Sequence, residues 1–340
     1  MDYLTICNRV LHSLNEVELT AANFSSSKGV QTAVKEFVNR SINDIYGDEL
    51  EWPFLHSDTT QVTTAGTAEY TLPANYRNVD YDSFVLRPTQ LISTNEFSSD
   101  ANWTHSSGSI SGGSLILTAG ASSQQTVTSF VKNRTYRVTL RMTGTGTLTL
   151  KVGTSSGGTQ ITSTAFTVSN LGEGELHSMT FVSTASTLYV TLAGSTATVN
   201  VDFITVNEDV QPQALSYISY DAYIKEHKEN DIANNPSSYN TPRYVYSTQD
   251  GKFGLTPIPD RGNYTIVYEY WTTHSDLSAS DSEPALYARY QDAIVVRSEY
   301  YTHQLRSNID GASMKDKEYK SKLQRMRIDL INKPEYMRTI

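Results

Sequence analysis

The chain is 340 residues long, with 38% hydrophobic and 19% charged residues, a composition typical of a globular protein large enough for two domains. No apolar run approaches the roughly 18 residues of a membrane helix, and a single cysteine, Cys7, excludes an intramolecular disulfide and a cysteine-based zinc site. The formal net charge of −9 argues against a general nucleic-acid binder, because binding to phosphates depends on Lys and Arg.

Two amphipathic helices are predicted at the N-terminus. The apolar residues of the first recur at spacings of three and four: Leu4, Cys7, Leu11 and Leu14. Asp2 is its predicted cap, so this segment is read as a helix rather than a signal peptide. A second stripe runs from Val30 to Ile45, with Gly47 as the stop signal. Alternation over residues 61–72 around a central Gly then predicts a short β-hairpin.

The composition changes at about Pro88, after which roughly one third of the next 120 or so residues are Ser or Thr. Short alternating segments separated by Gly and Ser turns indicate strands. The predicted strands are 114–117, 125–130, 136–143, 147–153, 165–168, 177–183, 187–193 and 198–206. Their number and spacing predict an antiparallel β-sandwich over residues 89–208.

Helical patterns return after Pro212. Residues 220–230 predict a short helix, and 243–247, 253–256 and 264–271 predict strands. Acidic and Ser residues before Pro284 predict a helix from there to about Gln304. Ser313 is the predicted cap of a last helix with an apolar stripe of Tyr319, Leu323, Met326 and Leu330.

The predicted fold class is therefore α+β, a helical domain with a small hairpin or sheet, interrupted by an all-β jelly-roll sandwich. Residues 1–88 form the first part of the helical domain, 89–208 the insertion, and 209–340 the second part with a C-terminal docking tail. The interruption follows from the similar element types on both flanks.

Both flanks resemble the head-to-tail adaptor family of short-tailed bacteriophages, the tail tubular protein A-like proteins. On the N-terminal side the resemblance rests on residues 51–54 (Glu-Trp-Pro-Phe) and 70–73 (Tyr-Thr-Leu-Pro), which follow the paired helices. On the C-terminal side it rests on residues 254–260 (Gly-Leu-Thr-Pro-Ile-Pro-Asp), the strand 264–271 and the two closing helices. The order of these features carries the resemblance.

This resemblance implies a structural protein of the phage particle that is not an enzyme and uses no cofactor. It implies a ring of identical subunits, twelve by family likeness, that joins the portal protein to the tail nozzle protein. DNA would pass through the ring without specific binding during ejection. The chain would be made in the host cytoplasm, reside in the virion at the head–tail interface and contact no membrane.

The inserted sandwich resembles the jelly rolls of carbohydrate-binding modules. The matching segments are residues 95–97, 102–103, 114–117, 135–138 and 201–206. An alternative function follows, in which the chain is a tail-associated protein that binds polysaccharide, a receptor or tail fibres through the insertion. A fold of this kind hosts many functions, so sugar binding depends on a site and not on the sandwich.

Few residues predict chemistry. The seven His residues lie far apart, and no paired carboxylates, nucleophile elbow or phosphate loop occurs, so no catalytic, cofactor or metal site is predicted. Glu96 and Asp202 are calcium candidates if the first and last strands of the sandwich are neighbours, and solvated carboxylates otherwise. Trp103 either stacks on a sugar ring or closes the sandwich core.

The end of the chain is basic. Residues 297–340 contain ten Lys or Arg and six Asp or Glu, a net charge of +4 within an acidic protein. The candidate portal-docking residues are Lys320, Lys322, Arg325, Arg327, Tyr336 and Ile340. A solvated polar helix face is the alternative interpretation of the four cations.

Overall fold

The computed structural model describes residues 1–169, 172–231, 235–248, 251–262 and 264–331. The chain divides into two compact units. The helical unit comprises Met1–Thr59, Thr71–Tyr81 and Tyr268–Ile340, and the strand-rich unit comprises Thr60–Tyr70 and Asp82–Val267. Helices combined with mainly antiparallel sheets make the protein α+β, which confirms the predicted class. The predicted limits of the insertion stay a prediction, and residues 89–208 all lie inside the strand-rich unit.

Four of the helices pack around one core in the helical unit. The helices are α1 (Tyr3–Ser13), α2 (Val30–Asp48), α3 (Tyr220–Glu226), α4 (Asp292–Leu305) and α5 (Ile309–Leu330). All but α3 belong to the helical unit, and each contributes to its core, as Ile6, Val38, Ile294 and Leu323 illustrate. Burying one such side chain stabilises the fold by about 1.5–3 kcal/mol. The apolar stripes predicted for α2 and α5 are confirmed, because a helical stripe is a local property of the sequence.

The helix starts were predicted less well. Asp2 caps α1 as expected, since its carboxylate accepts a hydrogen bond from Thr5 N at 2.7 Å. The helix predicted from Pro284 begins only at Asp292, because the preceding backbone bonds to another helix: Ser282 O accepts from Tyr3 N at 2.8 Å. The cap of α5 is Asn308 rather than Ser313.

The strands form four sheets. They are β1 (His56–Val62), β2 (Glu69–Thr71), β3 (Tyr76–Pro88), β4 (Thr104–Ser106), β5 (Ser109–Ser111), β6 (Ser114–Leu117), β7 (Ser122–Val127), β8 (Thr135–Gly144), β9 (Thr147–Gly153), β10 (Thr162–Thr167), β11 (Glu175–Val182), β12 (Leu188–Gly194), β13 (Val199–Glu208), β14 (Gln213–Ala214), β15 (Ser216–Ile218), β16 (Tyr244–Ser247), β17 (Lys252–Thr256) and β18 (Tyr264–Thr272). Two four-stranded sheets have the orders β1-β18-β3-β14 and β15-β16-β17-β2. The two five-stranded sheets lie in the strand-rich unit, with the orders β10-β9-β12-β7-β4 and β11-β8-β13-β6-β5.

The two five-stranded sheets share one hydrophobic core. Leu150 and Leu192 from one sheet and Leu140 and Val201 from the other are fully buried in the same cluster. In most of these strands alternate residues point inward, so the Leu and Val positions fill the core while most Ser and Thr side chains face outward. Ser123 and Thr191 are buried exceptions. All eight predicted strands are present within a few residues of their predicted limits, whereas β4 and β5, three residues each, were missed.

The hairpin predicted over residues 61–72 is wrong. β1 and β2 belong to different sheets, where they neighbour β18 and β17. The connection between them is closed by a side chain, because the Tyr70 hydroxyl accepts from Thr64 N at 3.0 Å and donates to Thr67 O at 3.0 Å. Alternation predicts which face of a strand is buried, but it does not identify the partner strand.

Candidate docking surface

The predicted docking cations of α5 lie on two flanks of the helix. Tyr319, Leu323 and Met326 face the core of the helical unit. At 100° per residue, Lys320 and Arg327 lie on one side of this buried stripe and Lys322 and Arg325 on the other. The four side chains therefore do not form one basic face.

On the flank of α5 that carries Lys320 and Arg327, both side chains form ion pairs within the helical unit. Arg327 pairs with Asp48 and places Nε 2.7 Å from Glu49 Oε1, which fastens α5 to the end of α2. Burial raises the pKa of Asp48, and the nearby Arg327 guanidinium opposes that rise. Lys320 Nζ lies 2.7 Å from Asp316 one turn earlier. These contacts give Arg327 a structural role that the sequence did not predict.

A second cation, Arg297, joins three helices of the helical unit. Arg297 of α4 donates from Nε to Asp44 of α2 at 2.7 Å and from Nη1 to Asp316 of α5 at 3.2 Å. Its guanidinium also lies over the ring of Tyr319, 4.8 Å from the centroid. Arg297 is largely buried, so these carboxylates and the ring replace the water that its charge loses. α5 is thereby held in a fixed position in the helical unit.

The other flank of α5 borders a small groove, here called the basic groove. Its lining includes Arg289, Asp292, Lys322, Arg325 and Met326, and its volume is about 150 Å³. Lys322 Nζ lies 2.7 Å from Asp292 Oδ2. The start of α4 thus supplies one wall and the middle of α5 the other.

The basic groove carries more positive than negative charge. Arg9 of α1 also reaches Asp292, at 3.5 Å, so one carboxylate is shared by two cations. At the edge, Asp329 accepts a hydrogen bond from the Tyr290 hydroxyl at 3.0 Å. Arg289 and Arg325 form no ion pair with any residue in the described ranges, although Arg289 packs on the ring of Tyr290. Two guanidinium groups are therefore available to bind carboxylates in a bidentate manner.

Sequence reasoning identified only half of this groove. Lys322 and Arg325 were predicted from their helix, while Arg289 and Arg9 were not, because they belong to other elements. A sequence signal for Arg289 was present, because it is the first Lys or Arg after Arg261 and lies between Tyr287 and Tyr290. The remaining docking candidates, Tyr336 and Ile340, lie outside the described residues.

Trp103 is a core residue. Its side chain is 6% exposed and its ring lies 5.2 Å from that of Phe97, measured between centroids, inside the core of the sandwich. A ring in this position presents no open face to a sugar. The core interpretation of Trp103 therefore replaces the sugar-stacking one.

The calcium candidates are not assembled into a site. The condition on neighbouring strands is met, because β6, the first predicted strand, pairs with β13, the last, where Leu115 lies opposite Val201. Asp202, however, accepts a hydrogen bond from Ser114 Oγ at 3.0 Å and lies 3.9 Å from Arg141 Nε, while Glu96 is exposed. Within the described ranges no cluster of three or more His, Cys, Asp or Glu side chains is placed to bind a metal ion.

A second groove, of about 360 Å³, lies in the strand-rich unit beside β8 and β13. Its polar lining includes Arg87, Arg137, Thr139 and Asn207. Arg137 Nε donates to Asp209 Oδ1 at 2.9 Å, which fixes one side of the opening. Such a lining suits hydrogen bonding to hydroxyl groups.

Comparisons with known proteins give one family match. A family model described as SU10 adaptor protein matches residues 142–338, more than half of the chain. No curated protein matches the sequence. Among the described residues no helix is both long and apolar enough to cross a membrane.

Solved structures resemble part of the chain. One is the enzymatically active domain of tailspike protein 4 from bacteriophage CBA120, with 12% identity, a TM-score of 0.29, and coverage of 35% of this chain and 21% of that one. Another is a carbohydrate-binding module of Cellvibrio mixtus lichenase 5A in complex with cellotriose, with 13% identity, a TM-score of 0.26, and coverage of 37% and 97%. A third is a Clostridium stercorarium module in complex with cellobiose, with 20% identity, a TM-score of 0.25, and coverage of 43% and 98%.

Proposed function

Because the chain belongs to the SU10 adaptor protein family, we propose that it is the ring-forming connector that joins the portal to the tail nozzle of a phage particle. Family membership makes the chain a phage structural adaptor that resides in the virion and binds other head–tail proteins. The ring, its twelve copies, the portal and nozzle contacts and the likeness to tail tubular protein A are the proposed part.

The observation that carries the proposal is the extent of the family match. The match over residues 142–338 includes α4 and α5, the two helices that build the basic groove. It also includes β18, so the family model matches most of the C-terminal part of the helical unit. An adaptor requires rigid surfaces that partners recognise, and Arg297 and Arg327 fix α5 for this purpose.

DNA passes the connector without tight binding in this proposal. The net charge of −9 disfavours binding to phosphates on the average surface. We also propose that the protein acts without catalysis and without a cofactor. The supporting observation is the sequence itself, which carries no recognised catalytic motif.

Portal docking is assigned to the end of the chain. Lys322 and Arg327 each pair with a carboxylate of the helical unit, and Lys320 pairs within α5. Of the six candidates, these pairs leave Arg325, which lines the basic groove, and Tyr336 and Ile340 in the segment after Ile331. We assign the portal contact to that last segment. Its side chains carry a formal net charge of +1, from Lys333 and Arg338 against Glu335, which favours an acidic surface on the portal.

Truncation tests the docking assignment. A chain that ends at Asn332 keeps every described contact of α5 and should fold normally. It should bind purified portal much more weakly than the full chain in a pull-down. The matched control is a chain that keeps its full length but carries Lys317→Glu, an exposed change in α5. Portal binding that is equal in the truncated and full chains would refute the assignment.

A second candidate function uses the strand-rich unit to bind host polysaccharide or tail fibres. The observation in its favour is the polar groove beside β8 and β13, since the buried Trp103 cannot serve. Deleting residues 89–208 should leave portal binding intact under the connector function alone. Phage that assemble with this deletion but no longer adsorb to the host would support the second function.

A further inference from the structure

The helical unit carries an acidic segment that complements the basic groove. Residues 275–283, here called the acidic loop, contain Asp276, Asp281 and Glu283, and residues 262–288 contain no Lys or Arg. All three carboxylate residues are exposed. Asp281 and Glu283 form no ion pair with any residue in the described ranges.

The acidic loop is held in place by its backbone. Ser280 O accepts from Leu4 N at 3.0 Å, and Asn39 of α2 bonds through its side chain to both Leu277 N and Leu277 O at 3.0 Å. Asn43 Nδ2 also donates to Asp276 at 3.1 Å. A loop fixed by these bonds loses little conformational entropy when it binds a partner.

The acidic loop and α5 lie on different sides of α2. Asn39 and Asn43 of α2 hold the loop, whereas Asp44 and Asp48 hold Arg297 and Arg327. Residues 39 and 44, like 43 and 48, are five positions apart, which is about 140° around a helix axis. The loop and α5 are therefore anchored about 140° apart around the axis of α2.

We infer that neighbouring copies of this chain bind each other by placing the acidic loop of one copy against the basic groove of the next. The inference rests on the proposed ring and names its subunit contact. A ring of identical subunits needs two different patches that complement each other, because each subunit uses one patch on each side. The groove supplies free guanidinium groups at Arg289 and Arg325, and the loop supplies the carboxylates of Asp281 and Glu283, a pairing that gives bidentate hydrogen bonds.

A charge-swap series tests the contact on the full chain. Arg289→Glu with Arg325→Glu should weaken self-association about tenfold or more, and so should Asp281→Lys with Glu283→Lys. The four changes in one chain recreate opposite charges at every contact and should restore association. Lys317→Glu, outside the groove on the same helix, is the matched control and should change little. Light scattering and electron microscopy at low and high salt measure the assemblies, and circular dichroism verifies folding.

The outcomes separate this inference from the proposed function. Restored association in the four-change chain, lost again at high salt, supports the contact. Two folded double variants without rescue overturn it, and so does a wild-type chain that stays monomeric at low salt. Portal binding is measured on the same preparations. If the wild-type chain binds portal but the four-change chain does not regain self-association, the connector function stands and only the subunit contact is wrong. If the wild-type chain does not bind portal, the connector function itself is contradicted. Groove variants that lose portal binding but keep self-association assign the groove to the portal instead.

Discussion

Reversing the charge of Arg327 separates a structural role from a docking role in α5. In the wild-type protein the guanidinium meets Asp48 and Glu49, and its side chain is 40% exposed. Arg327→Glu removes both ion pairs and brings a third carboxylate to the same place. An ion pair at this exposure contributes about 0.2–1 kcal/mol, and like-charge repulsion costs a similar amount. The free energy of unfolding should therefore fall by about 1–2 kcal/mol.

Thermal and urea denaturation measure this loss. The melting temperature of the helical unit should fall by about 2–4 °C per kcal/mol, and high salt should shrink the difference because the pairs are partly screened. Arg325→Glu is the matched control, since Arg325 is exposed on the other flank and should change stability by less than about 0.5 kcal/mol. If both variants have the same melting temperature and the same urea midpoint, the assignment of Arg327 to the α2–α5 contact is wrong.

Three further predictions concern the core, the pH response and the insertion. Trp103→Ala should cost about 3–5 kcal/mol of stability because the indole fills the core against Phe97, and denaturation that shows no loss would contradict its burial. Burial lowers the pKa of His274 below its ordinary value of 6.5, with Arg77 acting in the same direction. As the pH falls, the unfolded chain therefore binds a proton at His274 before the folded chain does, and the free energy of unfolding should decline below about pH 6.5. His274→Gln should remove this contribution, which unfolding curves at several pH values measure. Residues 89–208 expressed alone should melt cooperatively as a β protein, and a spectrum of an unfolded chain would oppose that prediction.

The helices and most sandwich strands were predictable because their signals are local. The stripe of α2 and the alternation of β8 and β9 specify which residues are buried within a short segment. The pairing of strands that are distant in sequence does not follow from such a local pattern. The pattern of residues 61–72 fitted a hairpin, yet β1 and β2 lie in different sheets. The start of α4 was missed because the backbone carbonyls of Ser280 and Ser282, beside and within the predicted caps, bond to α1.

The candidate site was predictable only in part for the same reason. A helix-period pattern identified the cations of α5, but it could not show that Arg327 reaches Asp48 and Glu49, 279 and 278 positions earlier in the chain. It also could not show that Arg9 and Lys322 share Asp292. Ion pairs between distant elements depend on tertiary packing, which a single sequence does not specify. Trp103 was open to two interpretations because an aromatic residue suits both a core and a sugar platform, and the tendency of large aromatic residues to be buried favoured the core.

Electron microscopy of the purified chain mixed with its portal and nozzle proteins tests the connector function most directly. The expected result is a closed ring of this chain between the two partners, with an open channel along its axis. Particles in which the portal and nozzle join without this chain, or in which the chain sits only at the outer surface of the tail, would contradict the connector function.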